Sequence, residues 1–507
     1  MSGAFAKTDL AFHAVSASRP RPSAWIASRA VDLRVKPGPD SGSGQKRRSR
    51  RDGAVFVAGF SRKNRLWDEW SDTVDDSLVV ESKHYRLPSQ EPFVNHVDTI
   101  AAPGSGTIAN APAATPEECA QLVADVEAYC QEIRPIEEIA YLEHEPNPAI
   151  GELAKKYNML GMSMPKKYGG RAVDSLTYAR ALVRINREGT GVRTFFSGHT
   201  SIGQYPILKY GTEEQKDRYL PASCRGDCTL AFGLTEPDAG SNPLEGTCTW
   251  RREGDKFILN GVKYLISNGS VADAVIVFAF PEGSEGQPDR RMSAFIVDTA
   301  GDTFEAEALH AKPGMYTSDT AMFEMTDHPI SGDNMLGDQG NGFRIAMHTL
   351  VSGRLSVASG CLGTIEDCLE ESLRYARERE QHGKPIGKHQ LVQQHIARIE
   401  MMRSTSDALV ERAALAKDRS DAAPGDKEEL ARADFAIAEA KYWASNAAWE
   451  AVDRAVQIFG GRGWSELYRP FRHLQDVRVC RIYEGTDEIM QLKIASSLLG
   501  KEFAAFG

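Results

Sequence analysis

The chain has 507 residues, of which 41% are hydrophobic, and a formal net charge of −10 at pH 7. This length allows about three domains with packed cores, whereas no apolar run approaches the roughly 18 residues that a membrane span requires. Residues 1–65 carry a net charge of +10, which leaves −20 on the remainder, and so acidic a body argues against nucleic acid as the main partner.

Eight cysteines are scattered along the chain without a CxxC pair. The closest two, Cys224 and Cys228, have no second pair or nearby histidine to complete a zinc site, so we expect no metal. Eight free thiols indicate a reducing compartment, because disulfides persist mainly in oxidising ones.

The first 114 residues (1–114) are predicted to form a low-complexity or poorly ordered extension. Residues 1–51 are rich in Ser, Pro, Gly and Arg and end in SGSGQKRRSRRD, a composition that cannot bury enough apolar surface to order itself. Two other interpretations are a transit peptide and a nuclear signal at KRRSRR, but a plain tail is favoured. We expect a cytoplasmic (bacterial) protein, or a mitochondrial matrix protein if the tail is a transit peptide.

A helical domain is predicted over residues 115–226. It begins at TPEECAQL, where Thr115 can cap a helix, Pro116 suits the first helical position and Glu118 completes a capping box. The run TEEQ at 212–215 is a second capping box. Further helical stretches are predicted around residues 149–160, 174–188 and 197–210.

A β domain is predicted over residues 227–337. Its apolar runs, such as KFILNGVKYLIS and ADAVIVFAF, are short and rich in β-forming residues. Asn260-Gly261, inside the first of these runs, is a strong signal for a two-residue hairpin. We therefore expect a β-barrel-like middle domain.

Residues 338–507 are predicted to be helical again. Long amphipathic stretches cover about 341–380, 388–418 and 428–459, and a last helix follows Gly485. Four helices with short connections predict a four-helix bundle. The predicted fold class is α+β and mainly helical, with an N-terminal helical domain, a middle β domain and a C-terminal bundle.

Five motifs resemble, in the same order along the chain, those of the acyl-CoA dehydrogenase family. They are LTEPDAGSN at 234–242, KYLISNG at 263–269, REREQHGKPI at 377–386, QIFGGRG at 457–463 and IYEGTDEI at 482–489. Any one of them alone is a weak signal, but TEPxxGS and IYEGT in register are specific. The resemblance covers about residues 115–505.

The resemblance implies that bound FAD oxidises an acyl-CoA thioester to a trans-2-enoyl-CoA. A carboxylate must remove the α proton while a hydride leaves the β carbon for flavin N5, and hydrogen bonds must stabilise charge on the thioester oxygen. Glu484 matches the family's base, and its apolar and backbone neighbours should raise its pKa. Some members hold the base just before an arginine of the first bundle helix, but Gly353 precedes Arg354 here, so Glu484 is the only candidate.

The other matches implied by the resemblance concern cofactor and substrate. Substrate-binding matches are Ser241, Arg354 and Gly485. FAD-binding matches are Leu234, Thr235, Ser267, Arg379, His382, Gln390, Gln457, Gly460, Gly461, Thr486 and Glu488. Arg379 suits the FAD pyrophosphate, because a guanidinium is a planar forked donor. Since Gln457, Gly460 and Gly461 match contacts made from a neighbouring subunit, the resemblance implies a homo-oligomer, and we expect a homotetramer.

Several positions depart from the family pattern. Leu265 stands where many members place a tryptophan beside the flavin, and His382 where they place a phenylalanine. Val351 replaces an acid that some members use near the substrate. We expect these changes to affect substrate choice and redox potential rather than the fold. A protonated His382 would offer the FAD phosphates charge-assisted hydrogen bonds.

Four functions are compatible with these motifs. The first is an acyl-CoA dehydrogenase that passes its electrons to an electron-transfer flavoprotein. An acyl-CoA oxidase, or an enoyl-CoA reductase that runs the chemistry backwards, would use the same fold. A non-catalytic acyl-CoA or partner-binding protein would need no base, so Glu484, Thr235 and Arg379 argue against it, although the fold alone would not.

Overall fold

The structure of the protein, a computed structural model, describes residues 113–287 and 290–503. The predicted tail at 1–51, with its transit-peptide and nuclear-signal alternatives, lies outside the described residues, as does nearly all of the predicted extension. No helix in the described ranges is both long and apolar enough to cross a membrane.

The first described region consists of helices. They are α1 Pro116–Glu143, α2 Ala149–Lys156, α3 Ser175–Asn186, α4 Thr190–Phe196, α5 Tyr205–Tyr210 and α6 Glu213–Arg225. Both predicted capping boxes are confirmed, one between Thr115 and Glu118 at α1 and one between Thr212 and Gln215 at α6. Each box satisfies backbone N–H groups that have no partner within the helix.

The stretch predicted as one helix over 197–210 is instead a π-helix, Ser197–Gln204, that runs directly into α5. Its His199 is buried and contacts two other elements. Nε2 lies 3.1 Å from Ser223 O of α6, and Nδ1 accepts a hydrogen bond from Leu230 N of β1 (3.1 Å). Wide helical turns of this kind are uncommon and often lie at functional sites. Here the π-helix packs between the sheet and the helical bundle.

The middle region is one eight-stranded sheet. Its strands are β1 Leu230–Gly233, β2 Thr249–Glu253, β3 Lys256–Ser267, β4 Ala274–Pro281, β5 Ser293–Asp298, β6 Phe304–Ala308, β7 Thr320–Ser331 and β8 Met335–Leu336. The order is β6-β7-β3-β2-β4-β5-β8, and β1 pairs with β4. Pairs of β4 with β1 and β2 are parallel, and the other pairs are antiparallel.

The predicted hairpin at Asn260-Gly261 is wrong, because both residues lie inside β3. The pairing of β3 with β7 shifts register between Leu259 and Gly261, so the pair marks a β-bulge. Gly261 has φ 130°, and a Cβ there would lie 2.8 Å from the Cα of Cys248. Glycine is therefore required by the close approach of Cys248, the residue just before β2, and not by a turn.

The last region is helical. Its helices are α7 Gly342–Glu378, α8 Gln390–Ala422, α9 Lys427–Phe459, α10 Arg469–Val477 and α11 Asp487–Leu499. The long helices α7, α8 and α9 pack against one another, and α10 and α11 pack on α9. A small hairpin, β9 Glu380–Gln381 with β10 Lys384–Pro385, joins α7 to α8. The predicted last helix after Gly485 is confirmed.

Helix α10 was not predicted, because its sequence RPFRHLQDV looks like a solvated segment. In the structure His473 and Asp476 of this helix are buried, and two of its basic side chains face α7. Arg469 Nε donates to Asp367 Oδ2 (2.8 Å), and His473 Nε2 lies 2.8 Å from the same oxygen. These pairs let a polar helix lie inside the domain, since buried charges are tolerated when they are paired.

Candidate active site

The site is centred on residues 483–485, a loop that precedes α11. Glu484 has φ 57° and Gly485 has φ 97°, so two successive residues adopt left-handed backbone. For a residue with a side chain this conformation is uncommon and persists only where the surroundings enforce it. Thr486 then caps α11 by accepting a hydrogen bond from Ile489 N (3.3 Å), and Glu488 is exposed in the first turn.

Three buried cations from three helices hold this loop. Arg193 of α4 donates through Nη2 to the tyrosine hydroxyl of the loop (2.6 Å). Arg354 of α7 donates through Nε to the glutamate carbonyl (2.9 Å), and Lys441 of α9 donates through Nζ to the glycine carbonyl (2.6 Å). The three side chains are 1%, 4% and 0% exposed. Each residue of the loop thus has its own charged donor.

The Glu484 carboxylate is in an environment suited to a base. Its Oε2 atom is buried and accepts no hydrogen bond from the described residues. Burial raises the pKa of Glu484 to about 7, against the opposing effect of the Arg354, Arg193 and Lys441 cations. Burial disfavours the charged form, and nearby cations favour it. The carboxylate can therefore exchange a proton near neutral pH.

Gly353 of α7 lies directly against this carboxylate. A Cβ at Gly353 would be 2.5 Å from Glu484 Oε1 and 2.6 Å from Oε2. The absence of a side chain at 353 therefore makes room for the carboxylate. The sequence offered two positions for the base, residue 484 and the residue just before Arg354. A side chain at either position would occupy the same space.

The two sheet motifs come together beside β3. Tyr264 N donates to Thr235 O (3.0 Å), and Lys263 Nζ donates to Leu234 O (3.1 Å). Lys263 also pairs with Glu236 at 2.8 Å, and both side chains are buried. Sequence reasoning did not single out Lys263 or Glu236, although they stand in KYLISNG and LTEPDAGSN. Two opposite charges next to apolar strands could have indicated a buried ion pair.

An apolar residue is exposed near the end of β3. The register of β3 shifts a second time between Lys263 and Ile266, and Leu265 in this bulge has φ 60° and is 54% exposed. Ser267 ends the strand, and Ser241 is exposed on the loop that follows β1. Leu265 and Ser267 are two residues apart in β3, and an exposed apolar side chain with a hydroxyl nearby suits a flat ring with a polar edge, so these two residues are compatible with a flavin.

A second group of predicted residues lies at one end of the bundle. The rings of Tyr375 and Phe459 stack with centroids 4.1 Å apart, and this contact brings the ends of α7 and α9 together. Residues in this group are Arg379, His382, Gln390, Gln457, Gly460 and Gly461. No hydrogen bond or ion pair between described residues joins the group to Glu484 or Thr235.

The second group has the properties of an anion site. Arg379 is half-buried at the end of α7 and makes no ion pair with the described acids. A Cβ on Gly460 or Gly461 would meet nothing within 4 Å, so a ligand could approach the backbone. His382 is exposed at a turn with φ 53°. These features fit a pyrophosphate, which an arginine fork binds well.

In the described part of the chain, the cysteines form no disulfide and the possible metal ligands form no metal site. All eight cysteines are free, and seven of them are buried. No group of three or more His, Cys, Asp or Glu side chains among the described residues could hold a metal ion.

The fold is therefore a helical domain, a sheet and a helical bundle in sequence, and the site is a glutamate of the bundle region whose Oε2 atom is buried. Family models for the acyl-CoA dehydrogenase N-terminal, middle and C-terminal domains match residues 116–227, 231–328 and 340–499. The chain belongs to the acyl-CoA dehydrogenase family. The predicted family, fold class and enzyme class are thereby confirmed.

Three similar proteins illustrate the family. The 3-(aryl)acrylate reductase of Clostridium sporogenes is 36% identical over 370 residues, which cover 73% of this chain and 95% of that protein. A solved structure described as the electron transferring flavoprotein of Acidaminococcus fermentans matches with a TM-score of 0.71 at 34% identity, over 76% of this chain and 98% of the other. An acyl-CoA dehydrogenase of Bacillus anthracis, complexed with FAD, matches with a TM-score of 0.71 at 28% identity, over 78% of this chain and 68% of the other.

Proposed function

We propose that the protein is an FAD-dependent acyl-CoA dehydrogenase in which Glu484 removes the α proton of the thioester. The observation that carries the proposal is the buried Oε2 of Glu484, which has no hydrogen bond partner among the described residues and belongs to a carboxyl group of pKa about 7. A base with a pKa near the working pH is both ionised and strong enough to accept a proton.

The residues around Glu484 would each have a defined task. Its Oε2 accepts the α proton, and the cations nearby keep the carboxylate available as an anion. Its backbone N–H makes no hydrogen bond to the described residues, so it is free to donate to the thioester oxygen, where negative charge develops. FAD, when bound, supplies the acceptor for the β hydride.

The FAD-binding positions fall into two groups, and this division supports a homo-oligomer. Leu234, Thr235 and Ser267 would hold the ring at the sheet, with Thr486 and Glu488 at the start of α11. Arg379, His382 and Gln390 would hold phosphates at the bundle end, with Gln457, Gly460 and Gly461. Since no hydrogen bond or ion pair among the described residues links the two groups within one chain, we expect one cofactor to span two subunits, in the expected homotetramer. Ser241 and Gly485 would contact the substrate.

Exposed apolar side chains on the bundle support association. Leu391 at the start of α8 is 74% exposed, and Trp464 after α9 is 76% exposed. Contact surfaces commonly contain exposed apolar patches, and we propose that these two side chains contribute to such a surface. Analytical ultracentrifugation should give four chains per particle, and a monomeric holoenzyme would contradict the arrangement.

An electron-transfer flavoprotein is the proposed electron acceptor, and the cytoplasm is the proposed location. The acceptor is proposed because the chain belongs to the acyl-CoA dehydrogenase family and because the description of one matching structure names an electron transferring flavoprotein. A second candidate is reduction of an enoyl thioester, because a relative at 36% identity is a 3-(aryl)acrylate reductase. The same base and cofactor positions would serve both directions.

The proposal is tested by mixing the FAD-loaded protein anaerobically with a panel of saturated acyl-CoAs. We expect at least one chain class to bleach the flavin absorbance of wild type, and Glu484→Gln to bind FAD without bleaching. Glu213→Gln, the same change at an exposed position of α6, serves as the matched control. Bleaching by Glu484→Gln at the wild-type rate would contradict the assignment. If no saturated acyl-CoA bleaches the oxidised flavin, while an enoyl-CoA reoxidises the reduced flavin and restores its absorbance, the reductase is favoured.

A further inference from the structure

Two of the buried cations at the loop 483–485 lack a carboxylate partner. Arg193 and Lys441 form no ion pair with any described Asp or Glu, and Arg354 has only Asp434, with 3.7 Å between Nη1 and Oδ1. An unpaired buried cation is costly, so it is retained where its charge is used. Glu484 is the carboxylate that the three cations surround.

We propose that Arg193 and Lys441 are positioning residues which, together with Arg354, hold the loop 483–485 in its left-handed conformation and keep the Glu484 carboxylate ionised. The inference rests on the proposed function only for the role of Glu484 as the base. Neither residue belongs to the motifs that identify the family in this sequence.

Helix α7 is shaped to receive both charges of this arrangement. Gly353 accommodates the Glu484 carboxylate, and a Cβ at Gly360 would lie 2.7 Å from Arg193 Nε. Residues seven apart lie on the same face of a helix, two turns from each other. On one face of α7, Gly353 therefore leaves space for the Glu484 carboxylate, and Gly360 leaves space for the Arg193 guanidinium.

Tyr483 transmits the position of Arg193 to the neighbouring glutamate. Its hydroxyl accepts from Arg193 Nη2 (2.6 Å) and lies 3.2 Å from Cys480 Sγ. Asn186 Oδ1, 3.4 Å from Arg193 Nε, fixes the other side of the guanidinium. Movement of this arginine would therefore shift the side chain adjacent to the base.

The charged groups around Glu484 come from several elements and leave a positive surplus. Arg193 lies on α4, Arg354 on α7, and Lys441 and Asp434 on α9. Asp434 also pairs with Lys493, while Asp487 at the start of α11 pairs with Arg481 (2.6 Å). The thiols Cys361 on α7 and Cys480, before the loop, complete the titratable groups. Asp434 is thus shared between Arg354 and Lys493, and Asp487, although paired with Arg481, also favours the charged form of Lys441 and raises its pKa against the lowering effect of burial.

The test is the ionisation midpoint of Glu484 in the resting holoenzyme. It is read from the infrared band of the protonated carboxyl, which is assigned by its disappearance in Glu484→Gln. Arg193→Gln keeps a donor for Tyr483 but removes the charge, and Lys441→Met removes both donor and charge. We expect each change to raise the midpoint by about one pH unit, a tenfold loss of the ionised form below it.

Matched variants separate charge from packing. Lys441→Arg keeps the charge, so its midpoint should stay near that of wild type, and Arg412→Gln removes an exposed cation paired with Glu439 and should shift nothing. Tyr483→Phe removes the hydrogen bond and no charge, so it should lower kcat without moving the midpoint.

Unchanged midpoints in folded, FAD-loaded Arg193→Gln and Lys441→Met would overturn the inference. Equal shifts in Lys441→Arg and Lys441→Met would also overturn it, because charge would then not be the cause. If one of the two variants fails to fold, the other decides. Since the infrared midpoint needs no turnover, absence of acyl-CoA bleaching in wild type would reject the proposed function alone.

Discussion

At the scale of single residues, the pKa of Glu484 predicts how the reaction depends on pH. Burial raises this pKa from the ordinary range to about 7, so the base is protonated below pH 7 and ionised above it. We expect kcat/KM for an acyl-CoA to rise with pH through about 7 and then level off. The same raised pKa makes folding less favourable as pH rises from about 4.5 through 7, because the folded state holds the proton more tightly.

Stopped-flow reduction of the flavin at a series of pH values measures this dependence. A rate that stays constant between pH 5.5 and 8.5, with the protein folded throughout, would show that Glu484 does not titrate there.

Gly353 gives a second prediction at this scale. The substitution Gly353→Ala places a Cβ within 2.5 Å of Glu484 Oε1, which is closer than nonbonded atoms tolerate, so the carboxylate must move. We expect flavin reduction to slow by at least about tenfold, since small misplacements of a catalytic group are costly, while FAD content stays at the wild-type level. Anaerobic single-turnover absorbance measures the rate.

The neighbouring change Ser352→Ala is the control for Gly353→Ala. Ser352 lines a small cavity with Tyr178 and Leu355, away from the carboxylate. A wild-type rate in Gly353→Ala would mean that the loop can adjust, and the close contact would then have no catalytic role.

The site could be predicted only in part from the sequence. Glu484, Arg354 and Gly353 were identified because they stand in or beside recognisable motifs, and the structure brings them into contact. Arg193 and Lys441 were missed, since in a sequence a buried cation looks the same as a solvated one. Only the three-dimensional arrangement shows that each donates to the loop of Glu484.

At the scale of elements, the glycine in the bulge of β3 predicts a stability effect. In Gly261→Ala the alanine would have to adopt a φ of 130°, and its Cβ would lie 2.8 Å from the Cα of Cys248. We expect a loss of at least about 2 kcal/mol in the free energy of unfolding, from strain and overpacking together. Thermal unfolding of the holoenzyme measures the change.

Gly254→Ala is the matched control. Gly254 has φ 62° and nothing within 4 Å of an added Cβ, so it carries the conformational cost alone, about 1 kcal/mol. Equal losses in the two variants would show that contact with β2 contributes nothing.

Local signals predicted elements well, and long-range contacts decided the exceptions. The caps at Thr115 and Thr212 depend on neighbours in sequence and were confirmed. The predicted hairpin at Asn260-Gly261 was wrong because the glycine is required by the close approach of Cys248, just before β2. Helix α10 was missed because its polar side chains are paired with Asp367, far away in sequence.

At the scale of the whole molecule, the family match predicts which part of the chain is needed. The matching domains begin at residue 116, and every residue assigned to the site lies after it. We expect deletion of residues 1–51 to leave FAD content, flavin reduction and oligomeric state unchanged. Absorbance spectroscopy and size-exclusion chromatography measure these properties. Loss of soluble holoprotein on deletion would show that the tail contributes to the structure.

The left-handed backbone of Glu484 is a cost that the charges around it outweigh. A residue with a side chain at φ 57° costs about 1 kcal/mol that glycine would avoid. Removal of the carboxylate would leave the three surrounding cations without their counter-charge, which costs roughly 3 kcal/mol or more. Glu484→Gly should therefore melt at a lower temperature as well as lose the base, so laboratory selection for heat resistance alone would still keep the glutamate.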